Sequence, residues 1–318
     1  MAATAAVERA QACDLCGGDA FELVSQRDRD GAPLATCICA RCGLVVQRAA
    51  PSSDELAAYY AGPYREQYQH EQTPSARRVL RSWEKGHKLL RWLQPHLKPG
   101  QRVLEVGAGV GCVVKVFELA GYEASGIDPG GGYLRFGTEQ LGAALTRARL
   151  EDLPGEGRYD LVLLVHVIEH LRSPREALER LHALLAPRGL LYIECPNLGA
   201  PSTRWPKAFH RAHIHDFTTS SLTMLARRCG FRIETPAEDQ QSTISVLYRR
   251  TEERSLEIDA GNYARILQRR EAYDPGSYFL RGNYFRRRYR TLRRQVRERL
   301  LGGLLVRRII KRCQAHGA

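Results

Sequence analysis

Four cysteines stand in two pairs, Cys13-x-x-Cys16 and Cys39-x-x-Cys42, with 22 residues between the pairs. Gly17-Gly18 and Gly43 follow them, where the chain must turn tightly around a ligand. Four thiolates fit tetrahedral zinc, and a closed set of four leaves no open position for catalysis. The expectation is a structural zinc held by Cys13, Cys16, Cys39 and Cys42. Cys37 is then a spare thiol or a substitute for Cys39, and an iron–sulfur or redox site is the alternative. A second constellation is rich in histidine. Glu169-His170 follows an apolar run, and His210, His213 and His215 share a segment with Trp205 and Phe209. Histidine can take a proton near neutral pH. His215 or His170 is expected as a general base, with Glu169 orienting a partner or contacting an acceptor hydroxyl. The rival roles are structural: His170 capping a strand end, His213 and His215 pinning their loop. His210 is expected at the surface. These histidines show no tight HxxxH pattern for a second metal.

The third constellation is Gly107-x-Gly109-x-Gly111, placed after the apolar run Val103–Val106. Glycine tolerates unusual dihedrals and removes side-chain bulk, so a cofactor can lie against such a turn. Only one residue separates the second and third glycines, whereas the dinucleotide fingerprint has two. An NAD-dependent oxidoreductase is therefore kept only as an alternative.

These groups need elements to hold them. Residues 75–94 carry Val79, Leu80, Trp83, Leu89, Leu90 and Leu93 on one helical stripe, ended by Pro95 and Pro99-Gly100. A short helix is expected at 53–60. Alternation then begins: strand 103–107, helix 110–120, strand 123–128, helix 132–142, a short strand at 147–150 and a continuously apolar strand at 159–165. Helix 174–185 leads through Pro187-Arg188-Gly189 to strand 190–194, then helix 219–229 and strands near 231–235 and 243–248. Such alternation predicts an α/β, Rossmann-like, seven-stranded and mostly parallel sheet. A small zinc-ribbon precedes it and a basic helical extension follows. The expected divisions are 1–50 (zinc-ribbon), 51–98 (helical linker and cap), 99–250 (core) and 251–318 (extension).

In order along the chain, the core resembles class I S-adenosylmethionine-dependent methyltransferases over roughly 76–248. The resemblance rests on Leu104-Glu105-Val106-Gly107-Ala108-Gly109-Val110-Gly111, Gly126-Ile127-Asp128 and Glu151-Asp152-Leu153-Pro154. It continues through Tyr159–Val162, His166-Val167-Ile168-Glu169-His170, Pro196-Asn197, His215-Asp216-Phe217-Thr218 and Gly230-Phe231. It is most similar to the subgroup of ubiquinone-pathway O-methyltransferases and natural-product and sugar methyltransferases. The resemblance implies that Glu105, Gly107, Ala108, Gly109 and Gly111 bracket the methionine part of S-adenosylmethionine. Asp128, with Pro129 beside it, would accept from the ribose hydroxyls, as a carboxylate can from two donors. Asp152 and Leu153 would lie near the adenine, and His166 would face the cofactor and substrate crevice. The Cys module resembles the zinc-ribbon before certain sugar C-methyltransferases, which carry a further α/β domain where this chain has basic residues.

The implied function is methyl transfer to a small molecule, a sugar or a biosynthetic intermediate, which could be phosphorylated or nucleotide-linked. O-methylation leads, and C- or N-methylation is the alternative. A nucleic-acid-binding protein with a degenerate core is a third class. The net charge of +13 is concentrated in 281–312, where thirteen Arg and Lys face Glu298 alone. Tyr284, Phe285, Tyr289, Leu292, Val296, Leu300, Leu304 and Leu305 recur there at helical spacing. Core packing, contact across a homo-oligomer, peripheral contact with an anionic membrane and contact with an acidic partner are the open roles; nucleic acid is disfavoured, because no compact RNA-binding module accompanies the charge. No leader-like segment and no apolar stretch of about 18 residues is present. Nine cysteines without a disulfide pattern suggest a reducing, cytoplasmic setting.

Overall fold

A computed structural model describes residues 12–48, 73–236, 242–274, 276 and 283–315. The helix expected at 53–60 lies outside the described residues. The elements in chain order are β1 (Phe21–Arg27), β2 (Pro33–Cys39), β3 (Val45–Gln47), α1 (Ala76–Leu93), β4 (Arg102–Val106), α2 (Cys112–Glu118) and β5 (Glu123–Ile127). Then follow α3 (Gly131–Leu141), β6 (Leu145–Thr146), β7 (Tyr159–Val165), α4 (Pro174–Leu184), β8 (Leu185–Pro196) and β9 (His215–Asp216). The chain continues with α5 (Thr219–Arg228), β10 (Phe231–Thr235), β11 (Thr243–Arg250), α6 (Gly261–Glu271) and α7 (Asn283–Gln314).

Seven strands form a mixed sheet in the order β10-β11-β8-β7-β4-β5-β6. β4 runs parallel to β5 and β7, β5 parallel to β6, and β10 antiparallel to β11. This is the expected α/β class. Leu161, Val162, Leu163 and Leu164 of β7 are fully buried, as a strand covered on both faces requires. Two local expectations fail. No strand occupies 147–150: pairing to β5 stops at Thr146, and a 3-10 turn over Leu150–Asp152 follows. The break expected at 187–189 is absorbed into β8, where Arg188 takes a left-handed φ of 62°.

The chain divides into two compact units. One comprises 52–165, 180–192 and 274–318. In it, Val79, Leu80 and Trp83 of α1 share a cluster with Cys112 and Val116 of α2, Tyr133 of α3, and Ile309 and Cys313 of α7. A Cβ at Gly86 would lie 3.1 Å from Val116 and 3.2 Å from the Val113 backbone, so α1 and α2 pack backbone to backbone there. α7 is fastened by Glu298, which is 9% exposed and bonds Arg81 Nε at 2.9 Å. Arg77 and Arg294 lie at 3.4 and 3.6 Å. One face of the basic extension therefore packs.

The other unit comprises 1–51, 166–179 and 193–273. Its second sheet has the order β1-β2-β3-β9, so β9, from the segment after the main sheet's β8, completes the cysteine module. Its core joins Val24, Ile38 and Val45 to Leu198, Trp205, Phe209 and Ile266. α5 starts with a capping box: Thr218 Oγ1 accepts from Ser221 N at 3.1 Å, and Ser221 Oγ accepts from Thr218 N at 3.0 Å.

Candidate active site

In the first unit, β4 ends in a turn that strongly favours glycine. Gly107, Gly109 and Gly111 have φ of 76°, 52° and 74°, a region closed to most L residues. Nothing lies nearer than 4.0 Å to a Cβ placed on Gly109, so the turn is open above it. At Gly111 a Cβ would strike Leu145 at 2.5 Å, so that glycine serves packing as well. Asp128, just after β5, fixes the turn from below. Its Oδ2 accepts from Gly109 N at 3.0 Å and its Oδ1 from Gly130 N at 2.7 Å.

Glu105 is 5% exposed, and its Oε2 has no hydrogen-bond partner among the described residues. Burial, then the nearby Asp128 charge, pushes its carboxyl well above the usual carboxylate range, against a hydrogen bond with the Val114 backbone. A buried acid with one unpartnered oxygen beside an open glycine turn is suited to a cationic group on a ligand, because such a group would restore the lost solvation. Asp152 lies in the 3-10 turn and is held low by Arg149, whose N–H it accepts at 3.0 Å. The Leu153 carbonyl accepts from the Arg180 guanidinium.

In the second unit the histidine segment is built onto the cysteine module. Val45 and Val46 pair with Asp216 and His215. Gln47 N donates to Ile214 O at 2.9 Å, and Gln47 Nε2 donates to the carbonyls of His210 and His213. Asp14, between Cys13 and Cys16, accepts from Ser173 Oγ at 2.8 Å and from Arg175 N at 2.7 Å at the start of α4. The sulfurs of the four cysteines lie within 4.8 Å of one another and all four residues are buried. Cys13–Cys42 and Cys16–Cys39 are 3.5 Å apart. Zn–S bonds of about 2.3 Å put tetrahedral sulfurs roughly 3.8 Å apart, so the set fits zinc with little adjustment. Cys37 is buried but is not part of the cluster.

Glu169, His170 and His213 come together, with ligand atoms all within 4.8 Å. Glu169 is 1% exposed and its Oε2 has no hydrogen-bond partner among the described residues. His170 Nδ1 lies 2.7 Å from the Ala212 carbonyl, so Nδ1 carries the proton and the neutral ring keeps its lone pair on Nε2. That Nε2 is 3.9 Å from Glu169 Oε1. Burial lowers the His170 value, partly countered by the Glu169 charge. His213 packs edge-on to His170 at 4.9 Å, and burial with the neighbouring His170 lowers it to about 2.

His166, just past β7, takes a φ of 57°, an uncommon conformation for a residue with a Cβ. Its Nδ1 lies 3.2 Å from Glu169 and its Nε2 3.4 Å from Glu194. Its side chain is 48% exposed; partial desolvation opposes its charge, but these two carboxylates outweigh that and push it up to about 9. The two carboxylates thus favour the charged form of His166, while burial favours the neutral forms of His170 and His213. His215 stands apart from this group: it is buried, its Nδ1 lies 3.1 Å from the Leu171 carbonyl, and burial lowers it to about 4. His210 corrects the expectation of a surface residue. It is 7% exposed, and its Nδ1 accepts from Ala212 N at 2.9 Å. Glu194, which faces His166 Nε2, belongs to no motif of the sequence. An acid at the end of an apolar run, two residues before Pro196, was the signal available.

A family model described as "Methyltransferase domain" matches residues 68–235. The chain belongs to that family, and with its fold and glycine turn it is an S-adenosylmethionine-dependent methyltransferase. The oxidoreductase alternative falls away. Among relatives, a ubiquinone biosynthesis O-methyltransferase of Rhodopseudomonas palustris (strain TIE-1) is 29% identical over 124 residues, covering 37% of this chain and 47% of the relative. C-methyltransferase NovU of Streptomyces niveus is 26% identical over 249 residues, covering 70% of this chain and 56% of the relative. The chain thus matches about half the length of these relatives. Burkholderia thailandensis 1,6-didemethyltoxoflavin-N1-methyltransferase, solved with 1,6-didemethyltoxoflavin and S-adenosylhomocysteine, has the same core fold. Its TM-score is 0.52 at 21% identity, over 66% of this chain and 96% of that one.

Proposed function

We propose that this methyltransferase methylates a hydroxyl of a small molecule, with His170 as the general base and Glu169 stabilising it once charged. S-adenosylmethionine supplies a methyl on a sulfonium that needs no further activation. The chain's own residues must bind the cofactor, hold the acceptor and take its proton. Glu105, Gly107, Ala108, Gly109 and Gly111 would receive the methionine end, Asp128 and Pro129 the ribose, and Asp152 and Leu153 the adenine, with His166 at the acceptor side.

The observation that carries the choice of base is the Nδ1–H of His170 on the Ala212 carbonyl, which directs Nε2 to accept a proton. Glu169 Oε1, 3.9 Å away, would then face an imidazolium. As the acceptor oxygen attacks the methyl carbon, the carbon–sulfur bond breaks, its electron pair goes to sulfur and the hydroxyl proton goes to Nε2. His215 is the weaker candidate, since it is almost wholly enclosed. Its role here is to hold β9 on the cysteine module, whose four thiolates bind a structural zinc.

C-methylation is the second reading, favoured by the 70% of this chain that matches C-methyltransferase NovU; a carbon acid needs the same base. Transfer of ¹³C-methyl from S-adenosylmethionine into a host-cell extract, with NMR of the small-molecule fraction, separates the two. A methyl bonded to oxygen supports the leading reading, one bonded to carbon replaces it with the second, and label confined to protein or nucleic acid overturns both.

A further inference from the structure

α7 has a second apolar face that the fold leaves exposed. At 3.6 residues per turn, Phe285, Tyr289, Leu292, Val296 and Leu300 fall within about 80° of one another. They are 70%, 61%, 59%, 48% and 74% exposed, and Leu304 continues the stripe at 58%. The face that packs is a different one, holding Glu298, Ile309 and Cys313.

Arginines border the stripe on both sides. Arg293 and Arg297 occupy one flank, and Arg288 and Arg299 the other. The Arg293 guanidinium lies over the Tyr289 ring at 5.8 Å. Glu298 is the one acid in the helix sequence, and it is turned to Arg77 and Arg81 on the packed side. The exposed face therefore offers apolar side chains framed by arginines, of which Arg297 also meets Glu84 of α1 at 3.6 Å.

We propose that this face of α7 docks on an anionic lipid surface, lying in the headgroup plane. The aliphatic and aromatic side chains would enter the acyl boundary, while the flanking arginines reach back to lipid phosphates along their own apolar stems. Charge complementarity selects this occupant. A second copy of the helix laid on the stripe would set arginine rows against arginine rows. A nucleic acid would answer the charge but leave Leu292, Val296 and Leu300 without a partner. No helix among the described residues is long and apolar enough to cross a membrane, so the contact is one of lying on the surface. The arrangement suits an acceptor that partitions into lipid.

The test uses the full chain, loaded with zinc, and sedimentation with two kinds of vesicle: phosphatidylcholine alone, and phosphatidylcholine with phosphatidylglycerol. Binding is expected to the second at least tenfold tighter than to the first, and to weaken as salt rises. The double variant Leu292→Asp with Leu300→Asp changes only exposed positions, and it should lose binding at least tenfold while keeping its circular dichroism and its affinity for S-adenosylmethionine. Arg293→Gln with Arg299→Gln should weaken binding and flatten its salt dependence. Absence of binding to anionic vesicles overturns the proposal. So does unchanged binding by the leucine variant, which would leave a purely electrostatic contact. A dimer that the leucine variant dissociates, with vesicle binding absent, would assign the stripe to a second copy instead.

Discussion

Glu105 is marked by an oxygen that the fold leaves without a partner among the described residues. Its carboxylate is buried at the end of β4 with one oxygen lacking a partner. Such a group costs stability unless something charged arrives to meet it. Replacement by Gln should leave the unliganded protein as stable or more stable, while weakening S-adenosylmethionine by about 10- to 100-fold, the worth of a charged hydrogen bond. Calorimetric titration beside a melting curve reads both; a variant that binds as well as the wild type removes Glu105 from the cofactor site. The histidines make a second residue-scale prediction. Burial lowers His210 and His215 to about 4 and His213 to about 2. Below about pH 6.5 the unfolded chain takes up protons that the folded chain refuses, so stability falls as pH drops from about 6.5 towards 4. His166 has the opposite sign: its raised value adds stability that is complete below about 6.5 and lost as pH climbs through about 9. His213→Gln should flatten the acid slope by on the order of 1 kcal/mol per pH unit. An acid slope equal to that of the wild type contradicts the assignment.

At the scale of elements, the junction of β3 with β9 matters most. The cysteine module and the histidine segment share one sheet, and Gln47 bonds three carbonyls of that segment. Asp14 ties the same module to the start of α4. Loss of the metal should therefore reach the histidines. Cys39→Ser, or exposure to a strong zinc chelator, should raise hydrogen exchange across 210–216 as well as across 13–47, and methyl transfer should fall. The glycine turn, held by Asp128 from β5, should keep its protection. If 210–216 stays protected while 13–47 exchanges freely, the two do not form one cooperative unit.

Legibility also follows from element scale. The glycine turn, the paired cysteines, β7 and the stripe on α1 were readable because each is a local pattern of residue types. β3 with β9 was not, because it joins residues about 170 positions apart and neither partner is long enough to declare itself. The burial of His210 follows from that same distant pairing, as its carbonyl and ring are enclosed once Gln47 is in place. The strand expected at 147–150 failed because its alternation ignores Asp152, which caps a 3-10 turn with Arg149 instead. The gathering of Glu169, His170 and His213 depends on where the chain returns after α4 and β8, which spacing cannot supply.

Across the molecule, the family match over 68–235 covers the glycine turn and the histidine groups but neither the cysteine module nor α7. The class of chemistry therefore rests on the shared core. α7 carries the charge imbalance seen in the sequence: one face packs on α1 through Glu298, while Arg293, Arg297 and Arg299 stay exposed. The central claim remains a division of labour, with cofactor binding at the glycine turn and proton removal by His170. The most direct measurement is single-turnover transfer of labelled methyl into the acceptor fraction by wild type and His170→Ala, with S-adenosylmethionine affinity measured on the same samples. The account predicts a rate lower by about 10²- to 10⁴-fold at unchanged affinity. Equal rates for the two proteins would contradict it.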